Sequence, residues 1–286
     1  MTILLWGGSG QLGKDIQRVL ADQHHVIAIS RSECDISDSA QVLSATEKHR
    51  PDAVVNCAAM TDVPGCEQRT EEAFTVNALA ARHIADASRI LNAYLIHIST
   101  DYVFFGNKKT PYIESDLTAP VNTYGITKLA GDHFVNAYHP AAAVVRTSGL
   151  YGIFECRGKK TNFVETMLRL GREREIVKVV DDEVLTPTYT HDLAGQIALM
   201  LNDKPAGIFH ATNAGACSWY DFTQTIFSIA GYTTRLERTT VAAFGSPVRR
   251  PAYSVLENAA LQKLGIDRMR PWQDALRAYM TERSDK

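Results

Sequence analysis

The stretch TILLWGGSGQLGKDIQRVL, residues 2–20, carries the reading of the fold. Thr2, Ile3, Leu4, Leu5 and Trp6 make a short apolar run, as a strand buried on both faces requires. Gly7-Gly8-Ser9-Gly10-Gln11-Leu12-Gly13 follows at once, and an amphipathic, helix-like segment opens from it over 11–22. The glycines are spaced Gly7-x-x-Gly10-x-x-Gly13. Glycine permits the tight turn and a close backbone approach to a pyrophosphate, while the helix N-terminus supplies N–H groups and a positive dipole. A glycine triplet alone also serves an ordinary strand-to-helix turn. Its place between a strand and an amphipathic helix favours dinucleotide binding.

Outward from this unit the pattern repeats. Apolar runs at 25–30, 53–58, 94–99 and 142–147 alternate with helix-like segments at 39–48, 71–91 and 124–138. Strand–helix alternation with strands apolar on both faces predicts an α/β fold, a Rossmann-type doubly wound parallel sheet. After residue 148 the pattern loosens. A glycine- and charge-rich stretch at 152–160 precedes a helix over 162–172, a strand over 175–180 and an apolar helix over 191–201. Short helices at 218–230, 256–264 and 271–279 follow, split by Gly/Pro loops. The expected organisation is a cofactor-binding domain over 1–148, with 178–212 packing back on it. Residues 149–177 and 213–286 would form a smaller, interleaved substrate-binding cap.

Composition narrows the class. Of 286 residues, 45% are hydrophobic and 22% charged, with 30 Lys+Arg against 32 Asp+Glu and a net charge of −2. That is ordinary globular usage with no basic field to attract nucleic acid or an anionic membrane. No apolar run approaches the roughly 20 residues of a membrane span, and no basic segment leads a signal core. Five cysteines (Cys34, Cys57, Cys66, Cys156 and Cys217) are scattered without a CxxC pair, which speaks against a disulfide framework or a zinc site. A cytoplasmic protein acting on a small molecule is expected, with no nucleic-acid or membrane partner.

The strand expected at 25–30 ends in Ser30-Arg31, where an NAD enzyme often carries an acid for the ribose 2′-hydroxyl. A serine and an arginine suit a 2′-phosphate better, so NADPH is favoured and NADH is left open. Asp35 and Ile36 lie toward the adenine edge, and Ala58 and Ala59 end the next strand with small side chains. Tyr124 and Lys128 stand at i and i+4 on one helix face. A neighbouring ammonium is expected to lower the tyrosine pKa toward neutrality, which suits proton exchange with a carbonyl oxygen. Thr100 follows an apolar strand and could hydrogen-bond the same oxygen.

The motifs GGSGQLG (7–13), STDYVF (99–104), YGITKLAGD (124–132) and RPAYSVLEN (250–258) together resemble the extended short-chain dehydrogenase/reductase superfamily. Within it they are most similar to the dTDP-4-dehydrorhamnose reductase family, and the resemblance runs nearly end to end through NFVETMLRL (162–170) and TPTYTHDLA (186–194). It implies NADPH-dependent reduction of the C4 ketone of a nucleotide-linked 4-keto-6-deoxy sugar. It implies Thr100, Tyr124 and Lys128 as the catalytic set, with Asp101 beside the reacting centre orienting the sugar. The family's cofactor contacts carry over to Gly7, Gly10, Gln11, Leu12, Gly13, Arg31, Asp35, Ile36, Ala58, Ala59, Tyr124 and Lys128. Asn162 and Phe163 match a segment lining the sugar-nucleotide cleft, and Arg249 and Arg250 suit a diphosphate. Arg157, Lys159 and Lys160 read as a solvated loop. A homodimer and Mg²⁺ are features of some family members, and no metal ligand is assigned.

The chain departs from the family in the sugar pocket. Where members commonly read RTSWVYG, this chain has Arg146-Thr147-Ser148-Gly149-Leu150-Tyr151-Gly152, and Gly149 removes an aromatic wall. Glu183 and Leu185 stand where Gln and Gly are usual, and Pro64 replaces an acid. A second reading stays open: a non-catalytic NADP-binding regulator resembling the regulatory subunit of methionine adenosyltransferase. A third is another nucleotide-sugar-modifying enzyme. A 4,6-dehydratase usually has an Asp-Glu pair beside the threonine, and here Asp101 is followed by Tyr102.

Overall fold

The computed structural model describes residues 1–154 and 161–284. Cys156, Arg157, Lys159 and Lys160 lie outside the described residues. A six-stranded sheet, parallel throughout, forms the centre. β1 (Thr2–Trp6) lies between β2 (His25–Ile29) and β3 (Ala53–Asn56). β4 (Tyr94–Thr100), β5 (Ala143–Thr147) and the strand Gly207–His210 extend the sheet beyond β3. After β2 the chain crosses back over β1 to reach β3, so the winding reverses beside β1. Ligands of open α/β sheets bind in the crevice at the strands' carboxyl ends at such a point.

Alternating strand residues face opposite layers. Ile3, Leu5, Val55, Ile96 and Val145 meet Leu12, Ile16 and Leu20 of α1 (Gln11–Leu20), together with Leu193, Ile197 and Met200 of the helix Thr190–Asp203. Leu4, Trp6, Val54, Leu95 and Val144 meet Val42 of α2 (Ser39–His49), Ile84 of the helix Ala80–Ile90 and Val135 of the helix Thr123–Tyr138. Burying each such aliphatic side chain contributes roughly 1.5–3 kcal/mol. The double-sided burial explains why these strands read as unbroken apolar runs.

A third core joins Tyr151, Val164, Leu168, Val177, Tyr189, Phe222, Ile226, Trp272, Leu276 and Tyr279. Here Ile176–Val180 pairs in parallel with Arg235–Thr239, and Val184–Leu185 pairs antiparallel with Cys217–Ser218. The chain returns to the main sheet through the helix Thr190–Asp203 and the strand Gly207–His210.

Three elements differ from the sequence reading. The single helix expected over 71–91 is instead a succession: Thr70–Phe74, a π-helical turn Thr75–Leu79, then Ala80–Ile90, with a further short helix, Val63–Gln68, ahead of it. The π turn carries Asn77, whose amide accepts from Met60 N at 2.8 Å and donates to Met60 O at 3.1 Å and Thr127 Oγ1 at 3.0 Å. One inserted residue aims a polar side chain that regular helical phasing would leave elsewhere. The helix expected from 256 starts at Ala259, because Asn258 spends its amide on Thr212 and Asp267 and Leu256 bridges to Tyr112. The last helix runs on to Ser284.

Candidate active site

Gly7 and Gly13 leave no room for a side chain in the glycine loop. Gly7 has φ +79°, and a Cβ there would stand 2.7 Å from Ala58 N and 2.8 Å from Cys57 C. A Cβ on Gly13 would stand 2.4 Å from Gly7 O and 2.7 Å from Gly8 Cα. The loop is thereby pressed against the end of β3, with Ala58 and Ala59 half-buried beside it. The N–H groups of Gln11, Leu12 and Gly13 open α1 and have no preceding helical carbonyl to bond. With the dipole, such a set of N–H groups suits a diphosphate. The side chains of Gln11 and Leu12 serve packing instead. Gln11 Nε2 donates to Gly152 O at 3.1 Å and Phe154 O at 2.8 Å, and Leu12 lies in the core.

At the end of β2, Arg31 and Asp35 are exposed and Ile36 is half-buried. Glu33, which the sequence reading did not single out, binds Ser30 twice: Ser30 N donates at 2.8 Å and Ser30 Oγ at 2.6 Å to Glu33 Oε2. The serine proposed for a 2′-phosphate thus already holds a carboxylate. Asp35 accepts from Ser37 N and Oγ, closing the turn before α2.

The reacting groups gather where β4 ends. Thr100 is its last residue, 5% exposed, and its Oγ1 donates to Asp101 Oδ1 at 3.0 Å. Tyr124 opens the helix Thr123–Tyr138, capped by Asn122, whose Oδ1 accepts from Gly125 N at 2.8 Å. A Cβ on Gly125 would sit 2.2 Å from Tyr102 O, so this glycine lets the helix close onto the Asp101–Val103 turn. The rings of Tyr102 and Tyr124 meet edge-on at 5.6 Å, and the Thr100 hydroxyl faces the Tyr124 phenol. Burial holds that phenol above its ordinary pKa, with the Thr100 hydroxyl acting the other way.

Burial thus outweighs the pull toward neutrality expected of Lys128. Lys128, 2% exposed, is turned into the sheet: Nζ donates to Ile98 O at 2.6 Å and lies 3.4 Å from His97 Nε2. Desolvation brings its own pKa down to about 8, opposed by the Asp132 carboxylate. Asp132 in turn pairs with Arg146 at 3.1 Å, both buried.

Asp101 is 3% exposed and accepts from Thr100, from Ser148 Oγ at 2.8 Å and from Ser254. Burial raises its carboxyl to about 6 against those three hydroxyls. Ser254 arrives on a segment threaded between two elements: Tyr253 N donates to Gly106 O at 3.2 Å and Ser254 N to Val184 O at 2.8 Å. Asn122 Nδ2 donates to Arg249 O at 2.9 Å, which fixes the start of the same segment. Arg249 itself is exposed, its guanidinium 5.0 Å from the Phe105 ring. Arg250 is half-buried and its Nε is buried without a partner, an orphaned donor that suits an anionic ligand. Glu183, 7% exposed, faces Arg250 and accepts from Trp219 Nε1 at 3.1 Å. The Phe163 ring lies tilted against Trp219 at 4.3 Å, while Asn162 caps the helix Phe163–Glu173 and donates to Gly152 O at 2.8 Å.

The structure therefore brings Thr100, Asp101, Tyr124, Lys128 and Arg250 to one end of the sheet and sets Arg249 and Asn162 to other work. Asn77, His97, Ser148 and Ser254 escaped the sequence reading as site residues. The visible signals were polar residues inside apolar or helical runs. Among the described residues no group of three His, Cys, Asp or Glu side chains is placed to hold a metal ion, and no helix is long and apolar enough to cross a membrane.

With this geometry in place, the chain was compared with known proteins. It is 38% identical to the spore coat polysaccharide biosynthesis protein SpsK of Bacillus subtilis (strain 168), over 99% of this chain and 98% of that one. It is 38% identical to the dTDP-4-keto-6-deoxy-D-glucose reductase of Streptomyces niveus, over 96% and 94%. The solved dTDP-4-dehydrorhamnose reductase of Bacillus anthracis in complex with NADP superposes with a TM-score of 0.94 at 36% identity, covering 98% of this chain and 99% of that one. Residues 1–284 match a single family model, so the chain belongs to the family described as the RmlD substrate binding domain.

Proposed function

We propose that this protein reduces the C4 ketone of a nucleotide-linked 4-keto-6-deoxy sugar with NADPH, converting dTDP-4-dehydro-L-rhamnose to dTDP-L-rhamnose. The observation that carries this reading is Tyr124, a protonated phenol facing the Thr100 hydroxyl at the carboxyl end of β4. A group that must deliver a proton at neutral pH has to hold one there.

NADPH, held by the Gly7–Gly13 cradle and the first turn of α1, supplies the hydride when bound. Tyr124 donates its proton to the ketone oxygen as negative charge develops there. Thr100 presents its hydroxyl to the same oxygen, and Asp101, anchored by Ser148 and Ser254, keeps that hydroxyl oriented. Lys128 sits behind the tyrosine as a buried cation that offsets the developing phenolate charge. Arg250 meets the diphosphate of the substrate with its unpartnered Nε. Phe163 and Trp219 form an aromatic wall beside Glu183. The four described cysteines are all free, which suits a reducing cytoplasm.

The test follows NADPH oxidation at the nicotinamide absorbance with dTDP-4-dehydro-L-rhamnose, wild type beside Tyr124→Phe. Turnover in the wild type and a loss of about 10²-fold or more in the variant are expected. Binding of NADPH without substrate-dependent oxidation would overturn the reading.

A further inference from the structure

Behind Lys128 lies a chain of hydrogen bonds whose direction is set by chemistry alone. Ala58 N donates to Asn56 Oδ1 at 3.0 Å. A backbone N–H can only donate, so the Asn56 amide must present its oxygen there and its NH₂ group elsewhere. That NH₂ group is 3.0 Å from His97 Nδ1, in the paired position on the neighbouring strand. Asn56 Nδ2 is a donor, so His97 Nδ1 must accept and carries no hydrogen. His97 is fully buried and its pKa is held well below the usual value by burial and by Lys128, so the ring is neutral. Its one N–H is therefore on Nε2, which stands 3.4 Å from Lys128 Nζ.

We infer that His97 is a positioning residue that sets the protonation state of Lys128: Asn56 locks the imidazole as the Nε2–H tautomer, and that N–H opposes the ammonium and bonds the neutral amine. An ammonium has no lone pair, so its contact with Nε2–H is donor against donor. The amine accepts from Nε2–H and still donates to Ile98 O at 2.6 Å. The other charged or titratable groups around Nζ are Asp132 on the same helix, Cys57 at the end of β3 and Arg146 of β5 acting through Asp132. Asp132 favours the ammonium, and its pairing with Arg146 moderates that pull. The locked tautomer leaves Lys128 able to release its proton near physiological pH. As the ammonium, Lys128 offsets the phenolate left when Tyr124 passes its proton to the substrate oxygen, and once it has titrated to the amine, stabilised by Nε2–H, that offset is lost.

This inference rests on the proposed roles of Tyr124 and Lys128 for its meaning, but its test does not need turnover. With ¹⁵N-labelled histidine, the ring nitrogens of His97, assigned through contacts to Asn56 and Ile98, should show Nε2 protonated and Nδ1 bare. A hydrogen on Nδ1 in the wild-type protein overturns the proposal. With ¹⁵Nζ-labelled lysine, the Lys128 titration midpoint should rise by at least about half a unit in His97→Gln, whose amide can turn its oxygen to the ammonium. The alkaline limb of the kcat profile should move by the same amount. A midpoint unchanged in a folded His97→Gln variant overturns the proposal. Absence of ketoreductase turnover with the expected tautomer and midpoint shift would instead remove the functional reading alone.

Discussion

Among the described residues Lys128 is the only lysine in the set of largest fully buried side chains, and its depressed pKa makes it a measurable term in stability. Burial lowers the folded value from 10.5 to about 8. Between those values the unfolded chain binds more protons than the folded one, so this group makes stability rise with pH. The full difference, at about 1.4 kcal/mol per unit, is roughly 3 kcal/mol. Linkage places about 2 kcal/mol of it between pH ~7.5 and ~9.5. Other groups act oppositely in that range: burial raises Cys57 to about 12 and Cys66 to about 11, and it raises Cys34 and Cys217 as well. Those thiols ionise more readily once unfolded, so they cost stability as pH rises. The informative quantity is therefore the difference between wild type and Lys128→Met, which keeps the cysteines and the side-chain volume. Urea unfolding at both pH values should show wild type gaining about 2 kcal/mol relative to the variant. Methionine leaves the Ile98 carbonyl unbonded, which offsets the curves without changing their relative slope. Parallel pH dependences would refute the reasoning, since they would mean that Lys128 keeps an ordinary, solvated ammonium.

Two further outcomes follow from the sites described. Glu33→Gln removes a carboxylate that holds Ser30 at 2.6 Å, so NADPH should bind severalfold more tightly while NADH changes little, as read by nicotinamide fluorescence titration; an unchanged NADPH-to-NADH ratio would show that the 2′-phosphate lies away from Ser30. Gly149→Ala should destabilise the fold by about 2 kcal/mol, because its φ of +55° disfavours a side chain and the new Cβ would stand 2.8 Å from Leu185 Cδ1; adding Leu185→Ala should relieve the collision and leave the backbone cost, which a double-mutant unfolding cycle separates.

What could be read in the sequence was what strand and helix periodicity encode. β1, with Ile3 and Leu5 on one face and Leu4 and Trp6 on the other, is legible because both faces are buried. The helix bearing Tyr124 and Lys128 is legible because its cap and glycine are local. The π turn at Thr75–Leu79 was not, since the reason for it is Asn77 meeting Met60 and Thr127, which are distant in the chain. The direction of the Tyr124 pKa is hidden from the sequence for a similar cause. Spacing of i and i+4 places two side chains on one helix face, but it does not say which way a long lysine turns. Here the Ile98 carbonyl, an acceptor supplied by β4, holds the ammonium, and burial sets the direction of the phenol's shift.

The sugar pocket is where local reading gives way altogether, and the geometry shows why. A Cβ on Gly149 would meet Leu185 Cδ1, Pro187 Cα and Thr186 O, so the missing side chain and the added one are two halves of one exchange. Read singly, Gly149 is a lost aromatic wall and Leu185 an intruding aliphatic. Together they keep the space between the Ser148 turn and the Val184–Leu185 strand filled, and Leu185 remains 5% exposed. Glu183, on the residue before that strand, is then the change that alters chemistry as well as packing. Trp219 holds Oε2 and Arg250 faces the carboxylate, so its charge is tied to the same arginine that is proposed to meet the diphosphate. A carboxylate at this place makes Arg250 less available to a diphosphate than a neutral amide would, unless the substrate also offers Glu183 a hydroxyl donor. On the proposed function, substrate choice would turn on this pair, which would reward a ligand whose sugar hydroxyls and diphosphate arrive together.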